Sequence, residues 1–181
     1  MIRQYFVAVV LPEQLNKKIL EYIQMMQDKY GCRVGLRSPA HITLVPPFWM
    51  NEEKESMLSE VLKPLAAENS FELATDNFSS FPPKTIFISL KKNFLLDELK
   101  EKTTSLLLQN QICSASPETR PFVPHITIAT RDLHKKSYNE AWTYFREKKF
   151  NASWNVNAVC VLRHNGTIWE VLTEVKFDIE G

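Results

Sequence analysis

The chain has 181 residues, 44% hydrophobic and 24% charged, enough for one globular core; four glycines and ten prolines exclude a collagen-like or low-complexity chain. Its 22 basic and 21 acidic side chains leave a net charge of +1, which argues against broad capture of duplex nucleic acid but allows a small anion or one strand end held in a cleft. Cys32, Cys113 and Cys160 form no C-x-x-C pair, and no apolar run reaches the ~18 residues of a membrane helix. They read as reduced thiols of a cytoplasmic protein with no membrane partner.

Residues 2–11 are β-branched and aromatic, hence strand-like; the apolar stretch 5–11 lacks the small-residue cleavage site of a signal peptide. Over 12–30, Leu15, Ile19, Ile23 and Met26 recur at helical spacing, with Pro12 in the first turn and Gly31 as a stop. Residues 40–45 read as a strand closed by Pro46-Pro47. Asn51 caps a second helix whose buried stripe is Leu58, Val61, Leu62 and Leu65. A strand over 71–78 follows. The series then restarts: strand 85–90, helix 93–111, strand 122–129, and a helix marked by Tyr138, Ala141, Trp142 and Phe145. Strands over 154–163 and 167–179 close the chain, joined through Asn165-Gly166, a pair that tolerates the positive φ of a hairpin turn.

Each half therefore reads strand, helix, strand, helix, strand, with one strand added at the end. This predicts an α+β fold made of pseudo-symmetric halves of about 1–80 and 81–181 within one domain. Two antiparallel or mixed sheets are expected to face a central cleft, with helices outside.

The third element of each half carries the same motif. His41-Ile42-Thr43-Leu44 recurs as His125-Ile126-Thr127-Ile128, each closely preceded by a proline, Pro39 and Pro124. Side chains alternate along a strand, so His and Thr share one face while the aliphatic residues point into the core. If the halves pack with two-fold symmetry, two imidazoles and two hydroxyls meet on one surface. Imidazole titrates near neutrality, so one copy can act as base while the other acts as acid. Hydroxyls can donate to phosphoryl oxygens as charge gathers. Neither motif supplies a carboxylate or thiolate at ligand spacing, so no metal or other cofactor is expected.

Two H-x-T-x motifs about 80 residues apart in a duplicated chain resemble the two-histidine phosphoesterase superfamily, in its 2′-5′ RNA ligase-like branch. The resemblance runs from Tyr5-Phe6-Val7-Ala8-Val9 and Leu11-Pro12-Glu13 to the final hairpin, and Phe122-Val123-Pro124-His125-Ile126-Thr127-Ile128 looks especially like the second motif. It implies RNA 2′,3′-cyclic phosphodiesterase activity and, in some members, hydrolysis of a cyclic ADP-ribose phosphate or reversible 2′-5′ ligation. By the same resemblance His41 is the acid that protonates the ribose oxygen and His125 the base on water. The expected partner is an RNA terminus or a cyclic-phosphate nucleotide, bound by a monomer. One position departs from many members: an arginine three residues after the second threonine is replaced by Thr130, with Arg131 one place later. A one-residue shift on a strand turns the side chain to the other face.

Beside these four residues, Arg37, Arg131 and Phe48 are candidate substrate contacts, the arginines for phosphate and the phenylalanine as a stacking rim. His134 and His164 are assigned no role, as a solvated helix start and a turn residue. Two other functions remain open on this scaffold: an idle nucleotide- or RNA-end-binding module, and an acid–base hydrolase of a non-RNA metabolite.

Overall fold

The computed structural model describes residues 1–114 and 121–178. The first half forms β1 (Ile2–Val10), α1 (Glu13–Tyr30), β2 (His41–Asn51), α2 (Glu55–Leu62) and β3 (Phe71–Phe81). The second forms β4 (Thr85–Leu90), α3 (Phe94–Gln109), β5 (His125–Ala129), α4 (Lys135–Phe145) and β6 (Ser153–Val156), followed by the hairpin of β7 (Ala158–His164) and β8 (Trp169–Lys176). Local chemistry sets the helix ends. Gly31 closes α1 at φ 72°, where a side chain would be strained. The Asn93 side chain accepts from the Leu95 and Leu96 amides at the start of α3.

The expectation of two facing sheets is corrected: the eight strands form one antiparallel sheet in the order β6-β3-β4-β5-β2-β1-β7-β8. The halves exchange strands. β3, from the first half, pairs with β4 and β6, whereas β7 and β8 extend the sheet from β1. Helices cross as well, α1 packing on β5 and α3 on β2. Sheet and helices thus share one main core rather than two.

Three further differences have local causes. β2 continues through Pro46-Pro47, because these prolines sit at an irregularity opposite Phe6 where no ladder hydrogen bond is needed. The strand expected over 154–163 breaks at Asn157, its first part pairing with β3 and its second with β1. The loop after β7 has four residues, with the Asn165 side chain accepting from the Thr167 and Ile168 amides. The last strand ends at Lys176; Ile179, expected within it, lies outside the described residues.

Alternation divides the sheet into two faces. Val7, Val9, Ile42, Leu44, Ile86, Ile88, Ile126, Ile128, Val159 and Val161 are buried in the main core, each worth about 1.5–3 kcal/mol when fully buried. Phe6, Ala8, Cys160 and Leu162 form a smaller cluster on the other face, with Val10 and Trp169 packed on it. His41, Thr43, His125 and Thr127 are only half-buried, while Ile42 and Ile126 between them are fully buried in the main core. Among the described residues, no helix is long and apolar enough to cross a membrane.

Candidate active site

β2 and β5 lie side by side at the middle of the sheet, and Ile42 faces Ile126 across the antiparallel pair. One step along each strand puts His41 opposite Thr127 and Thr43 opposite His125. Directly opposed residues have Cβ atoms about 4.5–5.5 Å apart and diagonal ones about 7–8 Å, so the imidazoles stand as a diagonal pair with a hydroxyl beside each. Positive charge on His125 weakens proton binding at His41, as this closeness requires.

Both rings are held in the same way. His41 Nδ1 lies 2.8 Å from the Pro39 carbonyl and His125 Nδ1 lies 2.7 Å from the Val123 carbonyl. A carbonyl only accepts, so Nδ1 carries hydrogen in both rings and Nε2 is left to exchange protons. Each ring also rests on phenylalanine: Phe6 is 4.8 Å from His41, while Phe87 and Phe81 are 4.9 and 5.4 Å from His125. Burial is the main cause lowering the proton affinity of His41; the Pro39 carbonyl opposes it, and His125 adds to it. The Thr43 and Thr127 hydroxyls make no hydrogen bond among the described residues, which leaves them free for a ligand.

A cleft of about 440 Å³ opens on this face, with His41, Thr43 and Thr127 in its wall. His125 is not part of that wall; it packs beside the ring pair of Phe81 and Phe87, whose centroids are 4.4 Å apart. The strand register orders the rest. Four residues before Ile42 and four after Ile126 lie Ser38 and Thr130, and this end carries Arg37 and Arg131 in the cleft wall. Both arginines are exposed and form no ion pair among the described residues. The opposite end is lined by Gln4, Phe6, His164 and Trp169.

The displaced arginine finds its way to the cleft because β5 stops at Ala129. Arg131 sits at φ 55° in the following turn, so strand alternation no longer directs it, and both Thr130 and Arg131 line the wall. Thr130 Oγ1 is 3.0 Å from Thr85 Oγ1. Arg37 is carried by the 3₁₀ turn Val34–Arg37, which Asp132 anchors: its Oδ2 accepts from the Arg33 and Val34 amides at 2.6 and 3.0 Å.

Phe48 is a correction. Because β2 continues to Asn51, two irregularities at Leu44–Val45 and Pro46–Pro47 cancel, and Phe48 keeps the face of Ile42. It stacks on Tyr5, 6.0 Å away, and packs against the main core instead of rimming the cleft. His164, which the sequence reads as a turn residue, lines the cleft together with Phe6 and Trp169, to which no motif in the sequence points. Trp169 follows the hairpin loop directly, a position that would have signalled it had β8 been placed at the cleft.

One sheet, a two-fold pair of H-x-T strands at its centre and two imidazoles set diagonally across that pair define the class of two-histidine phosphoesterases. The chain belongs to the 2′-5′ RNA ligase superfamily, whose sequence profile matches residues 12–168. It is 31% identical over 134 residues to a Geobacillus sp. protein named provisionally as a phosphoesterase, covering 72% of this chain and 73% of that one. A Geobacillus kaustophilus protein with the same kind of name is 31% identical over 133 residues, covering 72% of each. Escherichia coli LigT in its apo form shares the fold with a TM-score of 0.70 at 17% identity, over 99% of both chains. LigT complexed with 3′-AMP superposes at 0.67 with 20% identity, over 99% of this chain and 100% of that one.

Proposed function

We propose that the protein hydrolyses a cyclic phosphodiester, a 2′,3′-cyclic phosphate on an RNA end or nucleotide, with His41 and His125 as its acid–base pair. The observation that carries this reading is the facing of Ile42 and Ile126, which sets two Nδ1-anchored imidazoles diagonally across the central strand pair, His41 in the cleft wall and His125 beside it. In the reaction His125 Nε2 takes a proton from water as its oxygen attacks phosphorus. The bond from phosphorus to one ribose oxygen breaks, and His41 Nε2 gives that oxygen its proton. The product is a phosphomonoester, and a second proton exchange resets the pair. Thr43 and Thr127 donate to the non-bridging oxygens as charge builds on them.

Burial weakens proton binding by His41 in the free site, and an arriving phosphodiester anion offsets this, favouring the imidazolium that the acid role needs. Arg37 and Arg131 supply positive charge at one end of the cleft. The 3′-AMP held by LigT supports a nucleotide as the ligand class. A monomer working in the cytoplasm suffices for this chemistry, because one chain supplies both histidines. The test is hydrolysis of 2′,3′-cyclic AMP and of RNA ending in a cyclic phosphate by the purified protein in EDTA. Turnover to a single monophosphate is expected; no turnover of either substrate overturns the reading.

A further inference from the structure

The end of the cleft away from Arg37 and Arg131 has its own composition. Phe6 and Trp169 are half-buried or buried beneath it, and Gln4 and His164 are half-buried at its edge. These residues align across three strands: β1 pairs with β7 so that Tyr5 faces Arg163, which sets Gln4 level with His164, and His164 pairs with Trp169.

Trp169 is fixed between two rings. Phe6 meets it edge-on, 4.7 Å away at 76°, and His164 meets it at 4.9 Å and 64°. Phe6 also lies 4.8 Å from His41, so two ring-to-ring steps join Trp169 to the reacting imidazole. A ribose carrying a phosphate at His41 would span that interval and deliver its base to the indole. The polar groups there are also set. His164 Nδ1 accepts from the Gly166 amide at 3.3 Å, which leaves its Nε2–H as a donor. The Gln4 side chain makes no hydrogen bond among the described residues, so its amide offers both a donor and an acceptor.

We infer that Trp169, with Gln4 and His164, forms a purine subsite: the indole stacks on the base, and the amide and imidazole read its polar edge. Stacking on a preset aromatic favours the larger purine ring. A glutamine amide can match the paired donor and acceptor on a purine edge. This inference rests on the cyclic-phosphodiester reading, since it places the ribose phosphate at His41, and it adds which nucleotides the cleft prefers.

Equilibrium binding of 3′-AMP, 3′-UMP and inorganic phosphate tests it by calorimetry, without needing turnover. The wild-type protein is expected to bind 3′-AMP about tenfold or more tightly than 3′-UMP. Trp169→Ala should remove most of that ratio while leaving phosphate binding in place, Trp169→Phe should keep part of it, and Gln4→Ala should reduce it. Phosphate binding by Trp169→Ala also reports that the variant is folded. Equal binding of the two nucleotides by the wild type, or an unchanged ratio in Trp169→Ala, overturns the subsite. A protein that prefers 3′-AMP through Trp169 but turns over no cyclic phosphate would sink the proposed reaction and leave the subsite standing.

Discussion

Ile42 of β2 faces Ile126 of β5 at the centre of the sheet, and neither exposes any surface. These two residues are the middle positions of the two H-x-T motifs. Their pairing makes the local two-fold axis, so whatever holds them together also holds the imidazoles at a fixed diagonal.

Ile126→Ala should therefore cost about 2–4 kcal/mol of stability, the usual range for emptying a core aliphatic site. The loss is read from urea denaturation. Activity per folded molecule should also fall, because β2 and β5 pair over so short a stretch that loosening their contact changes the separation of the histidines. Full specific activity in this variant would detach the pairing from the chemistry.

His41→Ala and His125→Ala should each lower kcat on 2′,3′-cyclic AMP by about 10²-fold or more. Groups that act as one unit are not additive, so the double variant should be scarcely slower than the worse single one. Steady-state kinetics in EDTA give the comparison. A single variant that keeps near wild-type kcat would remove that histidine from the reaction.

Without substrate, His41 makes the stability of the fold depend on pH. Burial holds the folded-state proton affinity of His41 below its ordinary value of 6.5. Below that pH the unfolded chain binds a proton that the folded protein resists, so this group withdraws stability as pH falls and has no effect well above it. Denaturation of wild type and His41→Gln between pH 5 and 8 should show the wild type losing ground relative to the variant at the acid end. Parallel curves would mean that His41 is not held neutral by its surroundings.

The parts of the molecule legible in the sequence are those set by local period. The helix α1 follows from the spacing of Leu15, Ile19, Ile23 and Met26, and the sharing of one face by His41 and Thr43 follows from strand alternation. What stayed hidden depends on partners far along the chain. Nothing near residues 71–81 indicates that β3 leaves its own half to pair with β6, and nothing near 158–164 indicates that β7 joins β1. Hence the single sheet and the cleft positions of His164 and Trp169 could not be read locally. Phe48 was misplaced for a different reason: Pro46-Pro47 reads as a stop, yet an irregular antiparallel strand accommodates both prolines and carries on.

The arginine end of the cleft depends on how closely the 3₁₀ turn Val34–Arg37 approaches β5, and Gly35 sets that distance. A Cβ on Gly35 would lie 2.8 Å from Ile23 Cγ2 and 3.0 Å from the Ile128 carbonyl oxygen. The first contact can relax by side-chain movement; the second is to the backbone of β5 and cannot. Gly35→Ala should push the turn outward, strain the Asp132 hydrogen bonds to the Arg33 and Val34 amides, and cost about 1–3 kcal/mol. Arg37 moves with the turn, so KM for a cyclic nucleotide should rise several-fold. Asp132→Ala should raise KM in the same direction by removing the anchor instead of crowding it. Both substitutions act on Arg37 through this one turn, so combining them should raise KM little beyond the larger single effect. Full additivity in KM would show that Gly35 and Asp132 act on the cleft by separate routes.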